Sequence, residues 1–219
     1  MKESCPVCHC LESKKIFHQS HHNRDFYECP VCDLRFVPRE QILRKEIEKS
    51  RYENHKNTER SIGYEKFLRR LINPIKANFT YDDLGLDFGS GPYPMLQLLM
   101  KEDGFKNIDI YDPFFAPNDK VFNNKYDFIT LCEVFEHMED PISDLSKILD
   151  LLSSNSLLII STGIFEKNLI FDSWYYIKDE THINFFSNEC LHWIALKLNL
   201  EIEILEKDLV IIRKNKRLL

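Results

Sequence analysis

Through the middle of the chain, short apolar runs alternate with amphipathic stretches. Leu84, Leu86 and Phe88 make a run that stops in a glycine turn, and the Met95-Leu-Gln-Leu-Leu-Met100 beyond it is helical in composition. The alternation then repeats. Asn107-Ile-Asp-Ile-Tyr111, Tyr126-Asp-Phe-Ile-Thr-Leu-Cys-Glu133 and Ser156–Ser161 read as further strands. Asp140-Pro141 opens a helix that carries Ile142, Leu145, Ile148, Leu149 and Leu152, with proline in its first turn. Ser187 caps another helix, through about Leu198, and Glu201–Glu206 pairs with Leu209–Arg213 as a hairpin around Lys207-Asp208. Strands alternating with helices predict an α/β domain with a mostly parallel sheet, and the hairpin makes the last strand antiparallel.

Upstream the pattern changes. Tyr64, Phe67, Leu68, Leu71, Ile72 and Ile75 recur at helical spacing, so an amphipathic helix restarts at Ser61 or Gly63, and Asn73-Pro74 is expected to kink or end it. Residues 41–58, rich in Arg, Lys and Glu, read as a polar helix. Residues 1–40 are dominated by two knuckles, Cys5-Pro-Val-Cys8 and Cys29-Pro-Val-Cys32, twenty residues apart. The expected organisation is a zinc ribbon over 1–40, a helical linker or cap over 41–80 and the α/β domain over 81–219.

The knuckles bring in metal chemistry. A tight turn aims two thiolates at one point, and two such turns complete a tetrahedral sulfur site for Zn2+. Four thiolates close the coordination, so Cys5, Cys8, Cys29 and Cys32 would hold a structural ion that activates no water. A disulfide pair would suit a secreted chain, but no charged segment followed by an apolar one marks a secretory leader. His9, Cys10, His21 and His22 are spare donors nearby, while Cys132 and Cys190 lie in apolar contexts and read as buried small residues.

Composition narrows the partners. The 219 residues, 43% hydrophobic and 29% charged, hold one α/β domain plus a small appendage. The net charge of −6 is uneven, because residues 41–80 carry ten basic groups against five acidic ones and the main domain is acidic. That balance argues against a long polyanion such as nucleic acid, and the basic segment reads more simply as a solvated, salt-bridged helix face. The longest apolar run, around Leu157–Ile160, is too short to span a bilayer. A cytoplasmic protein without a membrane partner is expected, and its oligomeric state is not written in the pattern.

Candidate chemistry gathers at Leu84-Gly-Leu-Asp-Phe-Gly-Ser-Gly-Pro-Tyr-Pro94. Gly89 and Gly91 let a ligand approach the main chain, although a plain structural turn is the alternative. Asp112, at the end of the second strand, lies 23 residues after Gly89, and a carboxylate there can accept from both hydroxyls of a ribose. A dinucleotide corner wants a third glycine so that pyrophosphate can sit on the helix N-terminus. Pro92-Tyr93-Pro94 offers few free amides, so a phosphate-free nucleoside fits better.

On these residues the chain resembles the class I S-adenosylmethionine-dependent methyltransferases. Leu86-Asp-Phe-Gly-Ser-Gly91 looks like their first motif, Ile110-Tyr-Asp112 like the second and Tyr126-Asp-Phe-Ile129 like the fourth-strand motif. Glu133-Val-Phe-Glu-His137 before Asp140-Pro141 looks like the Glu-His turn of small-molecule members. The similarity extends to an uncharacterised bacterial group with an N-terminal zinc ribbon, through Tyr52-x-x-His55-x-Asn57, Gly63-Tyr64-x-x-Phe67-Leu68, Tyr111-Asp-Pro-Phe-Phe115 and Trp174-Tyr-Tyr-x-x-Asp-x-Thr181-His182-x-x-Phe185.

The resemblance implies a Rossmann-like, seven-stranded, mostly parallel sheet with an antiparallel last strand. It implies S-adenosylmethionine as cofactor, held by Asp87, Gly89, Gly91, Asp112, Pro113 and Glu133. His137 and His182 become the candidate general bases, and Trp174, Tyr175 and Tyr176, with His55 and Asn57 from the linker, the walls of an acceptor pocket. Helix-cap, core and packed-lid roles are the competing readings of the same histidines and aromatics. The activity implied is methyl transfer to a small-molecule or carrier-bound acceptor. An RNA methyltransferase whose ribbon contacts nucleic acid, and a non-catalytic ribbon module, are the alternatives. Two features depart from the family pattern. Tyr93 stands where a small residue is usual, and no acid-plus-amide signature lies between Asp112 and Tyr126. Pro113, Phe114 and a backbone amide are then left to hold the adenine.

Overall fold

The computed structural model describes residues 3–54 and 61–215. The chain begins with three short strands, β1 (Lys14–Gln19), β2 (Arg24–Glu28) and β3 (Arg35–Phe36). Two helices follow, α1 (Lys45–Asn54) and α2 (Ile62–Asn78). The α/β part then runs β4 (Leu84–Phe88), α3 (Met95–Glu102), β5 (Asn107–Tyr111), β6 (Tyr126–Cys132), α4 (Pro141–Asp150), β7 (Leu152–Ser161), β8 (Ile164–Phe165), β9 (Asn184–Ser187), α5 (Asn188–Leu198), β10 (Leu200–Glu206) and β11 (Leu209–Lys214). Among the described residues no helix is long and apolar enough to cross a membrane.

Helix starts follow the side chains that can cap them. Ser61 Oγ accepts the Tyr64 amide, Asp140 Oδ1 the Ser143 amide at 3.1 Å and Ser187 Oγ the Cys190 amide at 3.1 Å. Pro74 does not end α2, which continues to Asn78. Leu68, Leu71, Ile72 and Ile75 are all buried on one face, and that packing carries the helix past the amide that proline lacks.

Among the described residues the main sheet has six strands in the order β10-β11-β7-β6-β4-β5, not seven. β7, β6, β4 and β5 pair in parallel, and β11 is antiparallel to both of its neighbours. The expected seventh strand has no room. Only 14 residues separate Tyr111 from Tyr126, and they form a bridge between Asp112 and Ala116 and a 3-10 turn at Asp119–Asn123. A crossover with its own helix needs about 10–12 residues before any strand begins.

Side chains alternate across this sheet as the pleat requires. Phe128, Leu157, Ile159 and Ile211 meet α2 and α3 on one face. Ile129, Leu158, Ile160 and Ile212 meet α4 and α5 on the other. Both faces are therefore buried, which is why the strands read as continuous apolar runs.

The ribbon is not an appendage. Its knuckles repeat one backbone pattern. His9 N–H donates to Cys5 O and Cys5 N–H to Cys10 O, while Asp33 N–H donates to Cys29 O and Cys29 N–H to Leu34 O. His9 and Asp33 both take the left-handed conformation, at φ 58° and 59°. The ribbon strands continue into a second sheet, β1-β2-β3-β9-β8, through the pairs Arg35–Phe185 and Phe36–Asn184. Cys5, Val7, Tyr27, Leu34 and Phe36 share one apolar cluster with Phe135, Phe186 and Cys190. The Cys190 thiol of α5 lies in hydrogen-bond contact with Cys32.

A single buried cation fastens this sheet to the segment before β9. Arg24, 4% exposed, donates from Nη1 to Asp179 O at 2.9 Å and from Nη2 to His182 O. Removing it takes the donor from His182 O and leaves Asp179 O with the His182 amide alone, at 3.3 Å. Arg24→Ala is expected to cost about 3 kcal/mol in urea unfolding followed by circular dichroism. Arg24→Lys recovers only part of that, because one ammonium cannot reproduce the two-pronged contact. A cost below about 1 kcal/mol, within the range of ordinary surface substitutions, would show that the clamp carries no weight.

Candidate active site

A cavity of about 800 Å³ opens where Phe88, Tyr111 and Cys132 end β4, β5 and β6. This is the carboxyl edge of the parallel strands, where ligands bind in open α/β sheets. Tyr52 of α1 and Tyr64 and Phe67 of α2 also line it.

The glycine corner forms one wall. Gly89 and Gly91 take positive φ, at 79° and 66°. A Cβ on Gly89 would stand 2.3 Å from Val134 Cγ2, so the position is closed to any side chain. Asp112 lines the cavity, but its carboxylate is already engaged by the backbone. Oδ2 accepts the Gly91 amide at 2.9 Å, and Oδ1 accepts the Phe114 and Phe115 amides at 2.8 and 3.0 Å. A carboxylate offers about four acceptor positions, so roughly one remains for a ligand rather than the two that both ribose hydroxyls would use. Pro113 and Glu133 line the cavity as expected, and Tyr93, 51% exposed, stands at its rim.

Asp87 does not reach the cavity wall. Its carboxyl accepts from Thr130 Oγ1 at 3.2 Å and from the Gln97 amide in the first turn of α3. It therefore ties the glycine strand to the helix behind it. Burial raises its pKa to about 7. Trp174 is also displaced from its expected place. It is 8% exposed and packs in the cluster of Phe165, Phe171 and Phe185, because the 3-10 turns at 171–178 turn its indole away from the cavity that Tyr175 and Tyr176 line. His55 and Asn57 lie outside the described residues.

His137 and His182 both line the cavity, with ring centroids 4.9 Å apart. His137 Nδ1 lies 2.9 Å from Thr181 O and His182 Nδ1 lies 2.9 Å from Tyr176 O. A carbonyl only accepts, so each Nδ1 carries the proton and each Nε2 presents a lone pair. Burial pushes both imidazoles below the ordinary histidine range and keeps them neutral. Beneath them lies Glu136, fully buried, with Oε1 3.9 Å from each Nε2. Tyr176 OH donates to Glu136 Oε1 and lies 3.1 Å from Glu133 Oε2, while Thr162 Oγ1 donates to Glu136 Oε2 at 2.9 Å. Burial raises both carboxyl pKa values, so the pair readily holds a proton near neutrality. Sequence reasoning gave Glu136 no role of its own, and the one signal for it is a charged residue next to buried Phe135 in the turn that follows an apolar strand.

The chain matches the family model "Methyltransferase domain" over residues 60–205. The chain belongs to this methyltransferase family. Solved methyltransferases share its fold at low identity. The 1,6-didemethyltoxoflavin-N1-methyltransferase of Burkholderia thailandensis, solved with 1,6-didemethyltoxoflavin and S-adenosylhomocysteine, is 11% identical, with 91% of this chain and 96% of that chain covered at a TM-score of 0.54. An S-adenosylmethionine-dependent methyltransferase from Archaeoglobus fulgidus is 19% identical over 65% of this chain and 72% of that one, at 0.51. A further one, from Clostridium acetobutylicum, is 13% identical over 78% and 99%, at 0.50. No curated protein matches this methyltransferase. Its first 59 residues, with the ribbon, fall outside the family match.

The methyltransferase also carries four thiols that could hold a metal ion. Cys5 Sγ lies 3.5 Å from Cys32 Sγ and Cys8 Sγ lies 3.3 Å from Cys29 Sγ, none of them in a disulfide. Zinc–sulfur bonds of about 2.3 Å in a tetrahedron put sulfurs about 3.8 Å apart, so the set fits after a small expansion.

Asp87 makes stability depend on pH. Its folded pKa, about 7, exceeds the ordinary aspartate value, so the folded state holds a proton that the unfolded state has lost above about pH 4. Its contribution is complete below the unfolded pKa and disappears as pH rises through about 7. Asp87→Asn is expected to flatten the fall in stability between about pH 4 and pH 7, by up to about 1.4 kcal/mol per pH unit over part of that range. Urea midpoints across pH check it, and parallel curves for the two proteins would contradict the assignment.

Proposed function

We propose that this methyltransferase uses S-adenosylmethionine to methylate a small-molecule or carrier-bound acceptor. The observation that carries the reading is one cavity, at the carboxyl ends of β4, β5 and β6, lined by Gly89, Gly91 and Asp112 and also by His137 and His182. The residues present fit the nucleoside and methionine parts of the cofactor. Gly89 and Gly91 expose bare backbone, Asp112 keeps about one acceptor position for a ribose hydroxyl, and Pro113 and Phe114 offer apolar surface to an adenine. When bound, the cofactor supplies an already activated methyl group on sulfur.

The chain's own work is then positioning. Tyr52 meets His137 edge-on at 5.5 Å and Phe114 at 6.0 Å, so α1 covers the cavity and excludes water. His137 and His182 line the cavity, and an Nε2 there can take a hydrogen bond from an O–H or N–H group of the acceptor, fixing the attacking atom. Their neutral state leaves them ready to accept. Tyr175 and Tyr176 supply the aromatic wall, and Glu133 and Glu136 can pass a proton through the Tyr176 hydroxyl.

The ribbon's part is mechanical. Cys5, Cys8, Cys29 and Cys32 hold a structural zinc, and β3 and Arg24 pass the ribbon's order to the segment 179–183. We place the domain boundaries at about 40 and 80 by chemistry, although the ribbon and the main domain share packing. A protein that works inside the cell on small acceptors, without nucleic acid or membrane, follows from the acidic main domain.

Calorimetry with S-adenosylmethionine and S-adenosylhomocysteine tests the reading. Wild type should bind both, and Asp112→Ala should weaken binding more than tenfold by losing the ribose contact and releasing Gly91. No binding by wild type, or equal binding by the variant, removes it. Salt-sensitive binding of RNA in a gel titration would favour the RNA acceptor instead. Stripping zinc with a thiol-compatible chelator should unfold the ribbon, seen as lost tyrosine and tryptophan signal, and weaken acceptor turnover more than cofactor binding. Unchanged turnover after complete zinc removal would refute the mechanical role.

A further inference from the structure

We propose that Glu136, His137 and His182 form a second metal site, for a divalent first-row transition ion, in the floor of the cavity. The three side chains bring one ligand atom each within 4.8 Å of one another. They come from two separate segments, the turn after β6 and the loop before β9. Two features distinguish the arrangement from an ordinary buried hydrogen-bond cluster.

The first is the direction of the lone pairs. Thr181 O and Tyr176 O fix both Nδ1 protons at 2.9 Å, and both Nε2 atoms then turn to the same carboxylate oxygen, each at 3.9 Å. At 3.9 Å neither Nε2 is within hydrogen-bond reach of Glu136, and two imidazole lone pairs and a carboxylate oxygen are all ligands for a cation. A cation is the partner common to all three. Anchoring of the remote ring nitrogen by a carbonyl is also the usual support of a metal-bound imidazole.

The second is the outer support and the opening. Glu136 is held through Thr162 Oγ1 at 2.9 Å and through the Tyr176 hydroxyl, so its oxygen is fixed. Asp179 Oδ2 stands 3.8 Å from His182 Nε2 and also lines the cavity, which provides a fourth donor or a bridge to a bound water. His137 and His182 face the cavity while Glu136 lies beneath them, so the remaining coordination positions point at the bound acceptor.

The spacing is close to what an ion needs. Bonds of about 2.0–2.1 Å place tetrahedral ligands about 3.4 Å apart, so the 3.9 Å edges close by about half an ångström when an ion enters. Two imidazoles with one carboxylate suit Zn2+, Co2+, Fe2+ or Mn2+ rather than Ca2+ or Mg2+, which take oxygen ligands. An open position facing the cavity lets the ion bind an oxygen or nitrogen of the acceptor and lower its pKa. This deepens the proposed function and rests on it for the identity of the acceptor face, because the histidine lone pairs then act through the ion instead of by direct contact.

Cobalt titration of the zinc-loaded full chain tests the site. Wild type should bind one Co2+ per chain beyond the ribbon zinc, with weak visible d–d bands and no sulfur-to-cobalt charge-transfer band. His182→Gln and His137→Gln should each weaken that binding at least tenfold, with circular dichroism and S-adenosylhomocysteine binding unchanged. Absence of the extra cobalt in wild type, a spectrum dominated by sulfur ligation, or equal affinity in folded variants would overturn the site. If both variants unfold, the wild-type stoichiometry and spectrum decide alone. Cofactor binding without cobalt binding sinks only the metal site, whereas cobalt binding without cofactor binding sinks only the methyl-transfer reading.

Discussion

The segment from Asp179 to Ile183 depends on contacts made by a sheet that begins at the other end of the chain. Arg24 of β2 donates to the carbonyls of Asp179 and His182. Val37 N–H, just past β3, donates to Ile183 O at 2.9 Å, and Ile183 N–H donates to Glu136 O at 3.0 Å. The loop that carries His182 is thus stitched on one side to the ribbon and on the other to the turn that carries His137. Loop backbone buried in this way must find partners for its polar groups. The N-terminal strands supply donors for three of its carbonyls, and the turn of His137 accepts its Ile183 amide.

The ribbon in turn cannot order itself by apolar burial alone, since about 40 residues make too small a core. Two strategies combine. Four thiols converge at one point, and the strands β3 and β9 pair so that the ribbon borrows the core of the main domain. Phe36, Phe135 and Phe186 share that core with Cys5 and Cys32, and Phe135 and Phe186 stack at 4.3 Å. Disorder at the cysteines would therefore be felt at Phe135, beside His137 of the cavity and more than 100 residues away in sequence.

Below the cavity the balance is electrostatic. Glu136 and Asp87 are buried and Glu133 is half-buried at the cavity wall, and each is engaged by hydroxyl or amide donors. Burial alone favours their protonated forms, while those donors favour the charged forms. Arg24, buried nearby in the fold, spends its guanidinium on the carbonyls of Asp179 and His182.

How much was legible in the sequence follows from how local each signal is. The alternation of apolar runs with helices, the caps at Ser61, Asp140 and Ser187, and the paired knuckles are local, because pleat, helix period and capping act over a few residues. They determined the α/β class, the parallel strands and the convergence of the four cysteines. Family likeness carried the strand count one too far, because the short Tyr111–Tyr126 connection leaves no space for the strand that relatives would suggest. Pro74 did not end its helix and Trp174 turned away from the cavity for one reason. A local propensity or an aromatic run says nothing about which face a neighbouring element will bury. The assignments to Asp87 and Asp112 met the same limit, since only the folded chain shows that Gln97, Gly91, Phe114 and Phe115 amides already occupy those carboxyls. The sequence by itself thus determined the elements and the residue types at the cavity. Tertiary structure decided that the ribbon buttresses the loop of His182 and that two imidazoles and Glu136 share one point, because side chains separated by tens of residues meet only when the sheets are paired.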